Sequence, residues 1–121
     1  MMIRALILSA ALAMPALATA ANRHEAELAM TAAQSALEAA ERAGAAQYAI
    51  DDLNTARNGM ARAQGLAGDR DWTESMLASE KASADAHLAE ARSRQARAEA
   101  TTAEVEAAVR TLRAELGRAG G

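Results

Sequence analysis

The chain has no cysteine and no phenylalanine, one proline, and only two aromatic residues, Tyr48 and Trp72. Without cysteine it can form no disulfide and offer no thiol nucleophile. Aromatic side chains bury more surface than any others, so their scarcity excludes a thick hydrophobic core. A chain of 121 residues has room for a single domain, and this one must have a thin core.

Alanine is what the sequence has instead, at 37 of 121 positions. The hydrophobic fraction of 51% therefore overstates the apolar surface that folding can bury. Alanine, leucine, glutamate and arginine also have the highest helix propensities, and β-branched residues are few. The composition predicts an all-α fold.

The first 20 residues differ from the rest. Arg4 is their only charge, residues 5–17 form an apolar run, and the small residues Ala18 and Ala20 lie three and one positions before a cleavage point. This pattern is typical of a Sec signal peptide cleaved after Ala20. The apolar run, about 13 residues, is shorter than the roughly 20 that a membrane-spanning helix needs. We expect export and a soluble periplasmic location.

The ends of the chain carry no attachment signal. No cysteine lies at the cleavage site, so we expect no lipid anchor, and we expect no membrane contact. The chain ends in Gly121 without a terminal lysine, and Lys81 is the only lysine. This argues against covalent attachment to the cell wall through a lysine side chain.

Residues 72–118 predict one long helix, because they contain no proline and no glycine before Gly117. Such a helix would extend roughly 70 Å, which is too long for a small domain to bury. A heptad pattern runs along it, so we expect a partner helix of similar length. The d-type positions are Leu77, Ala84, Ala91, Ala98, Val105 and Leu112, and the a-type positions are Lys81, Leu88, Gln95, Thr102, Val109 and Leu116.

Two shorter helices are predicted within the single helical domain, residues 21–121. The first, about 22–43, begins with the capping-box spacing of Asn22 and Glu25. The second covers about 47–67. The apolar stripe changes face between them, next to Gly44, where a break is expected.

Gly68 and Asp71 mark a chain reversal before the long helix, with Gly68 past the end of one helix and Asp71 capping the next. We predict an antiparallel helical hairpin, or a short three-helix coiled-coil arrangement with one long C-terminal helix. In the hairpin, the numbers of facing residues sum to about 140. The predicted neighbours are Leu53 with Leu88, Leu37 with Thr102 and Val105, and Met30 with Val109 and Leu112.

A second stripe of small residues follows the other side of the long helix. Two interpretations fit: alanine is there as a good helix former on an exposed face, or it lets another helix approach closely. The sequence leaves both interpretations open. The stripe comprises Ser75, Ala78, Ala82, Ala86, Ala89, Ser93, Ala96, Ala100, Ala103, Ala107 and Ala114.

The two histidines do not indicate a metal site. Cleavage after Ala21 would make His24 the third residue of the mature chain, which suits square-planar Cu(II) or Ni(II), but cleavage after Ala20 breaks that chelate. His87 has no second histidine or cysteine at a ligand spacing, so we predict a solvated or edge-packed side chain. We predict no metal-binding residue.

The acidic clusters are better explained as helix caps. Residues 51–52 and 69–71 lie where helices start, and helix N-termini favour carboxylates. No phosphate-binding glycine loop and no nucleophile elbow is present. We therefore predict no catalytic residue, no cofactor and no enzymatic activity.

A short basic cluster, Arg92, Arg94 and Arg97, is the only hint of nucleic-acid binding. The chain has a net charge of −3 and lacks aromatics for base stacking. Glu90 precedes Arg94 by four residues, which favours an ion pair along the helix. We expect no nucleic-acid partner.

A family resemblance rests on residues spread over about 30–100. They resemble the bacterial envelope family called domain of unknown function 4398, which implies an exported helical module, sometimes joined to outer-membrane or peptidoglycan-binding domains, and implies no reaction. Ile50 stands where that family usually has proline, and many members carry a lipoprotein cysteine that is missing here. The matching residues are Tyr48, Ala49, Leu53, Ala56, Arg57, Ala63, Asp71, Trp72, Ala82, Asp85, Ala86, Leu88 and Ala89.

These observations predict a non-enzymatic, exported helical spacer or protein-interaction module of the cell envelope. Its partner would be an envelope protein or a second copy of itself. The alternative is a small periplasmic ligand- or metal-binding protein. Because the leucine and valine seam is expected to be used inside the hairpin, association is expected on the alanine-rich stripe or at the hairpin ends.

Overall fold

The computed structural model describes residues 20–120, which fold into four α-helices and contain no strand. The all-α prediction, with one long C-terminal helix, is confirmed. The predicted signal peptide, residues 1–20, lies outside the described part except for Ala20 and stays a prediction. The helices are α1 (Arg23–Arg42), α2 (Ala45–Tyr48), α3 (Ile50–Gly68) and α4 (Trp72–Ala119).

Side chains cap the starts of α1 and α4 as the sequence predicts. The Glu25 amide donates to Asn22 Oδ1 at 2.9 Å, and the Asn22 amide donates to Glu25 Oε2 at 3.0 Å, which completes a capping box. At α4 the Glu74 amide donates to Asp71 Oδ1 at 3.4 Å. Each acidic side chain also complements the positive end of its helix dipole.

The break between α1 and α3 is made by Gly44 and the single turn of α2. Gly44 has φ +92°, a left-handed conformation that other residues rarely adopt. A Cβ at this position would lie 3.3 Å from the Tyr48 ring. The chain therefore reverses sharply, and α3 starts at Ile50 although no proline is present there.

Helix α3 runs antiparallel to α4. Ser75 Oγ, near the start of α4, donates to the Ala63 carbonyl late in α3 at 2.8 Å. At the other end, Arg92 donates to Asp52 in the first turn of α3. These pairs lie close to the register that the sequence predicts for this part of the chain.

Helix α1 runs parallel to α4, so three helices pack side by side. The Ala21 amide donates to Thr73 Oγ1 at 3.1 Å, and Arg97 Nη1 donates to the Ala43 carbonyl at 3.3 Å. Arg57 of α3 and Glu41 of α1 form an ion pair of 2.9 Å. Of the two predicted arrangements, the three-helix one is observed, and α1 and α3 both pack against the first half of α4.

The predicted pairing of α1 with the distal half of α4 is wrong. Leu37 was expected near Thr102 and Met30 near Val109, but α1 folds back at Gly44 and its end lies beside Arg97. The predicted contact between Leu53 and Leu88 is also wrong, for a different reason. Leu53 is fully buried, whereas Leu88 is 43% exposed, because α4 turns its other face toward α3.

The bundle is built on the first part of the stripe of small residues, as far as Ser93, so this part serves the close approach of other helices. The later members Ala103, Ala107 and Ala114 are exposed. Small side chains let two helices approach α4 closely, and a chain with few large residues gains most contact this way. A Cβ added to Gly59 would lie 3.1 Å from the Ala82 Cβ. The buried residues of α4 are Ser75, Ser79, Ala82, Ala86, Ala89 and Ser93.

The core is thin, as the composition predicts. Leu53 is its largest fully buried side chain, with Leu37 and Met60 nearly buried beside it. The buried hydroxyls of Ser79 and Ser93 donate to carbonyls one turn earlier in α4. Among the described residues, no buried side-chain nitrogen or oxygen lacks a hydrogen-bond partner.

The last part of α4 extends beyond the bundle. Every residue from Thr101 to Gly120 is exposed, so no other described element covers this part of α4. The free segment, residues 101–119, is about 28 Å long at the α-helical rise.

Candidate interaction surface

The heptad seam of α4 faces solvent, which overturns the expectation that it is used internally. Leu77 is 49% exposed and Leu88 43% exposed, although both lie beside the packed bundle. The buried stripe takes the opposite side of α4. A helix that contacts two neighbours on one side must leave its other side uncovered unless something else packs there.

Four large apolar residues of this seam cluster on the free segment, and we call them the distal seam. They occupy four consecutive heptad core positions on one side of α4. Isolated exposed leucines and valines are common on protein surfaces, whereas a phased run suits a partner helix. The exposed fractions are 57% for Val105, 38% for Val109, 58% for Leu112 and 71% for Leu116.

Charged residues flank the distal seam. Glu106 and Arg113 take e-type positions beside it, and Glu115 takes a g-type position. Such flanking charges determine the partner and the direction of a coiled coil more than its affinity. The seam therefore combines an apolar centre with charged edges.

The basic cluster joins the helices of the bundle. Arg92 binds Asp52 of α3, and Arg97 binds the last carbonyls of α1 through Ala43. Arg94 pairs with Glu90, which confirms the predicted ion pair along the helix. A cation near the C-terminal carbonyls of α1 also complements that helix dipole.

The acidic clusters lie at helix ends. Asp71 caps α4 as predicted, whereas Asp51 and Asp52 lie in the first turn of α3 without a capping hydrogen bond, where they complement the helix dipole. In the turn between α3 and α4, the left-handed backbone conformation that was predicted for Gly68 is adopted by Arg70, which has φ +60°. Its amide donates to the Ala67 carbonyl and the Asp71 amide to that of Leu66, as in a Schellman motif.

The two histidines are far apart and exposed. His24 lies in the first turn of α1, and the His87 side chain is 66% exposed with Nδ1 3.7 Å from Glu90 Oε2. Within residues 20–120 no group of three or more His, Cys, Asp or Glu side chains is placed to hold a metal ion.

An open groove of about 410 Å³ lies between α3 and α4. Arg62 of α3 and Glu74 and Lys81 of α4 are among its lining residues, and Leu77 of the seam borders it. It places charges of both signs around an open surface.

Trp72 and Arg23 connect the starts of α4 and α1. The Arg23 guanidinium carbon lies 6.0 Å from the centre of the Trp72 ring, which is the range of a cation–π contact. Arg23 also donates to Glu27 at 2.7 Å, and that bond raises the pKa of the guanidinium. Of the two, only the contact with Trp72 joins α1 to α4, since the Arg23–Glu27 pair lies within α1.

Sequence reasoning missed two residues that position the helices. Ser79 belongs to the buried stripe, and its spacing of four from Ser75 could have placed it there. Thr73 fixes the start of α1 through the Ala21 amide, but no local pattern indicates a contact between residues 52 positions apart.

Comparison with known families matches residues 28–105 to a family described as a domain of unknown function, DUF4398. The chain belongs to this family. The match covers nearly all of the bundle and agrees with the resemblance found in the sequence. No curated protein and no solved structure matches the chain.

The DUF4398 match ends where the distal seam begins. Val105 is its last residue, so most of the free segment lies outside the matched region. No helix in the described part of the chain is long and apolar enough to cross a membrane. The free segment of this DUF4398 protein must therefore be interpreted from its own chemistry.

Proposed function

We propose that this protein is a non-enzymatic helical interaction module of the bacterial cell envelope. The three-helix bundle acts as a rigid base, and the free segment of α4, which extends about 28 Å beyond it, carries the distal seam. One observation carries the proposal: four large apolar residues at heptad spacing are exposed on a helix that no described element covers.

Burial of that seam supports binding of another helix. Complete burial of a valine or leucine side chain is worth about 1.5–3 kcal/mol, and these four are roughly half exposed, so covering them contributes about 3–6 kcal/mol per seam. This gain is comparable with the estimated cost of association, about 4–15 kcal/mol. The surface therefore suits a reversible partner that adds its own apolar residues.

The envelope location rests on the signal-like sequence of residues 1–20 and on family membership. Cell fractionation followed by mass spectrometry of the purified protein tests it. We expect a periplasmic fraction whose mature chain begins at Ala21. A chain that retains its first 20 residues in the cytoplasm would contradict the proposed location.

Site-specific photo-crosslinking in whole cells tests the interaction. A photoreactive amino acid at Leu112 should give a discrete crosslinked protein, because Leu112 lies in the distal seam. The matched control is Ala114, which is also exposed but lies on the other side of α4. Equal crosslinking from both positions would argue against a specific surface.

A small-ligand-binding role is the second candidate, and the groove between α3 and α4 is where it would act. Arg62 and Lys81 would bind an anionic group there, with Leu77 contributing an apolar edge. Thermal unfolding with a panel of envelope lipids and small anions tests it. A rise in Tm that is lost in Arg62→Ala would support ligand binding, and no rise for any compound would dismiss it.

A further inference from the structure

The distal seam has a pattern that fits a second copy of itself. We propose that two copies pair through their distal seams as a short antiparallel coiled coil. This rests on the proposed function and names its partner. In the pairing, Val105 packs against Leu116 of the second copy, and Val109 packs against Leu112 of the second copy.

The register follows from heptad geometry. In an antiparallel coiled coil each a-type residue faces a d-type residue of the other helix. Val109 and Leu116 are a-type, and Val105 and Leu112 are d-type. Two-fold symmetry repeats each contact, so all four large residues of both copies meet another large residue.

The flanking charges agree with this register. Residues at e-type positions face each other across an antiparallel pair, so Glu106 of each copy faces Arg113 of the other. Symmetry produces this attraction twice, and no like charges meet. Neither side chain has an ion-pair partner among the described residues.

Competing antiparallel registers fit less well. A shift of one heptad toward the bundle packs Leu112 against Thr102 and brings Glu106 against Glu106. Pairing along the whole of α4 packs Leu112 against Lys81 and also places Glu80 beside Glu115. Each alternative loses apolar contact and adds repulsion between like charges.

Parallel pairing is also disfavoured. In register it would bring Lys81 against Lys81 in the centre of the seam, and it would place Arg113 beside Ala108 instead of a carboxylate. The antiparallel pairing leaves out Lys81 because it uses only residues 102–119, and its direction places Arg113 beside Glu106.

The pairing is short, so the dimer is weak. Eighteen residues per copy form an interface smaller than the 1,200–2,000 Å² typical of stable complexes, and we expect a Kd on the order of 10–100 μM. The helix need not be nucleated on binding, since the free segment continues a helix that already starts in the bundle. A short coiled coil is therefore sufficient to hold two copies together reversibly.

Charge reversal with sedimentation equilibrium tests the proposal. The purified protein should dimerise as its concentration rises through the micromolar range. Glu106→Arg and Arg113→Glu should each weaken dimerisation about tenfold or more, because each places two like-charged pairs in the homodimer. An equimolar mixture of the two variants should dimerise like the native protein, since the mixed pair restores both attractions.

Glu104→Arg is the matched control, because it makes the same charge change on the free segment away from the seam. It should dimerise like the native protein. A native protein that stays monomeric up to about 1 mM would overturn the pairing. A mixture of Glu106→Arg and Arg113→Glu that fails to recover would overturn the antiparallel register.

Crosslinking in cells separates this inference from the proposed function. Leu112 should crosslink to a second copy of the chain. A monomeric purified protein whose Leu112 crosslinks to a different envelope protein would refute self-pairing and leave the interaction module standing. No crosslinked product from Leu112 at all would refute both.

Discussion

Nη1 of Arg92 lies 2.9 Å from both carboxylate oxygens of Asp52, and this contact joins α4 to the first turn of α3. The Asp52 side chain is 21% exposed and that of Arg92 is 58% exposed. The pair fixes the end of the bundle where α1 turns into α3. A little farther along, Arg97 contacts the end of α1, and α4 continues alone from Thr101.

Removal of this ion pair should have a modest effect on stability. Asp52→Asn should lower the free energy of unfolding by about 1 kcal/mol. This value is at the upper end of the range measured for exposed ion pairs, because the aspartate is partly buried. Urea unfolding at low salt measures it. Arg94→Ala is the control, since the Arg94–Glu90 pair lies within α4, and it should cost less than about 0.5 kcal/mol. Equal losses would contradict the special position of Arg92.

Enlargement of the buried stripe should destabilise the bundle, whereas enlargement of the seam should not. Ala86→Leu forces three methylene-sized groups between closely packed helices and should cost about 1–3 kcal/mol or more. Ala84→Leu makes the same change on the exposed seam and should leave the free energy of unfolding within about 0.5 kcal/mol. The free energies of unfolding of the two variants in urea therefore show which side of α4 is buried. The reverse order would mean that the seam is the internal face.

Glycine at position 70 should stabilise the protein. Arg70 has φ +60°, and left-handed backbone costs a non-glycine residue about 1–2 kcal/mol. Glycine removes that cost but loses part of the gain to unfolded-state entropy, so Arg70→Gly should add roughly 0.5–1 kcal/mol. Asp69→Gly, one residue earlier at φ −83°, should be neutral or destabilising. Thermal and urea unfolding of both variants would check this contrast.

Two glycine-to-alanine changes should act in opposite directions. Gly44→Ala should lower stability by about 1–2 kcal/mol, because φ is +92° and the new methyl group would crowd the Tyr48 ring. Gly65→Ala should raise it by up to about 1 kcal/mol, since Gly65 lies inside α3 with open space around its Cα. Equal effects in urea unfolding would show that the reversal does not depend on Gly44.

The sequence by itself determined the helices of this protein. Alanine-rich composition, the Asn22 and Glu25 capping box and the turn before Trp72 are local features, and local hydrogen bonding decides them. They placed α1, α3 and α4 within a few residues of their observed bounds, but not the single turn of α2. They also excluded a thick core, because side-chain volume is a property of composition alone.

Only the tertiary structure decided which side of α4 is buried. A heptad seam with Leu88 and Val105 and a stripe with Ala82 and Ala86 are both phased for helix contact, and hydrophobicity favours the first. The stripe is buried because Gly44 turns α1 back beside α3, and two helices then approach α4 where its side chains are smallest. That choice depends on a reversal that joins residues about 50 positions apart, and it leaves the distal seam free for a partner.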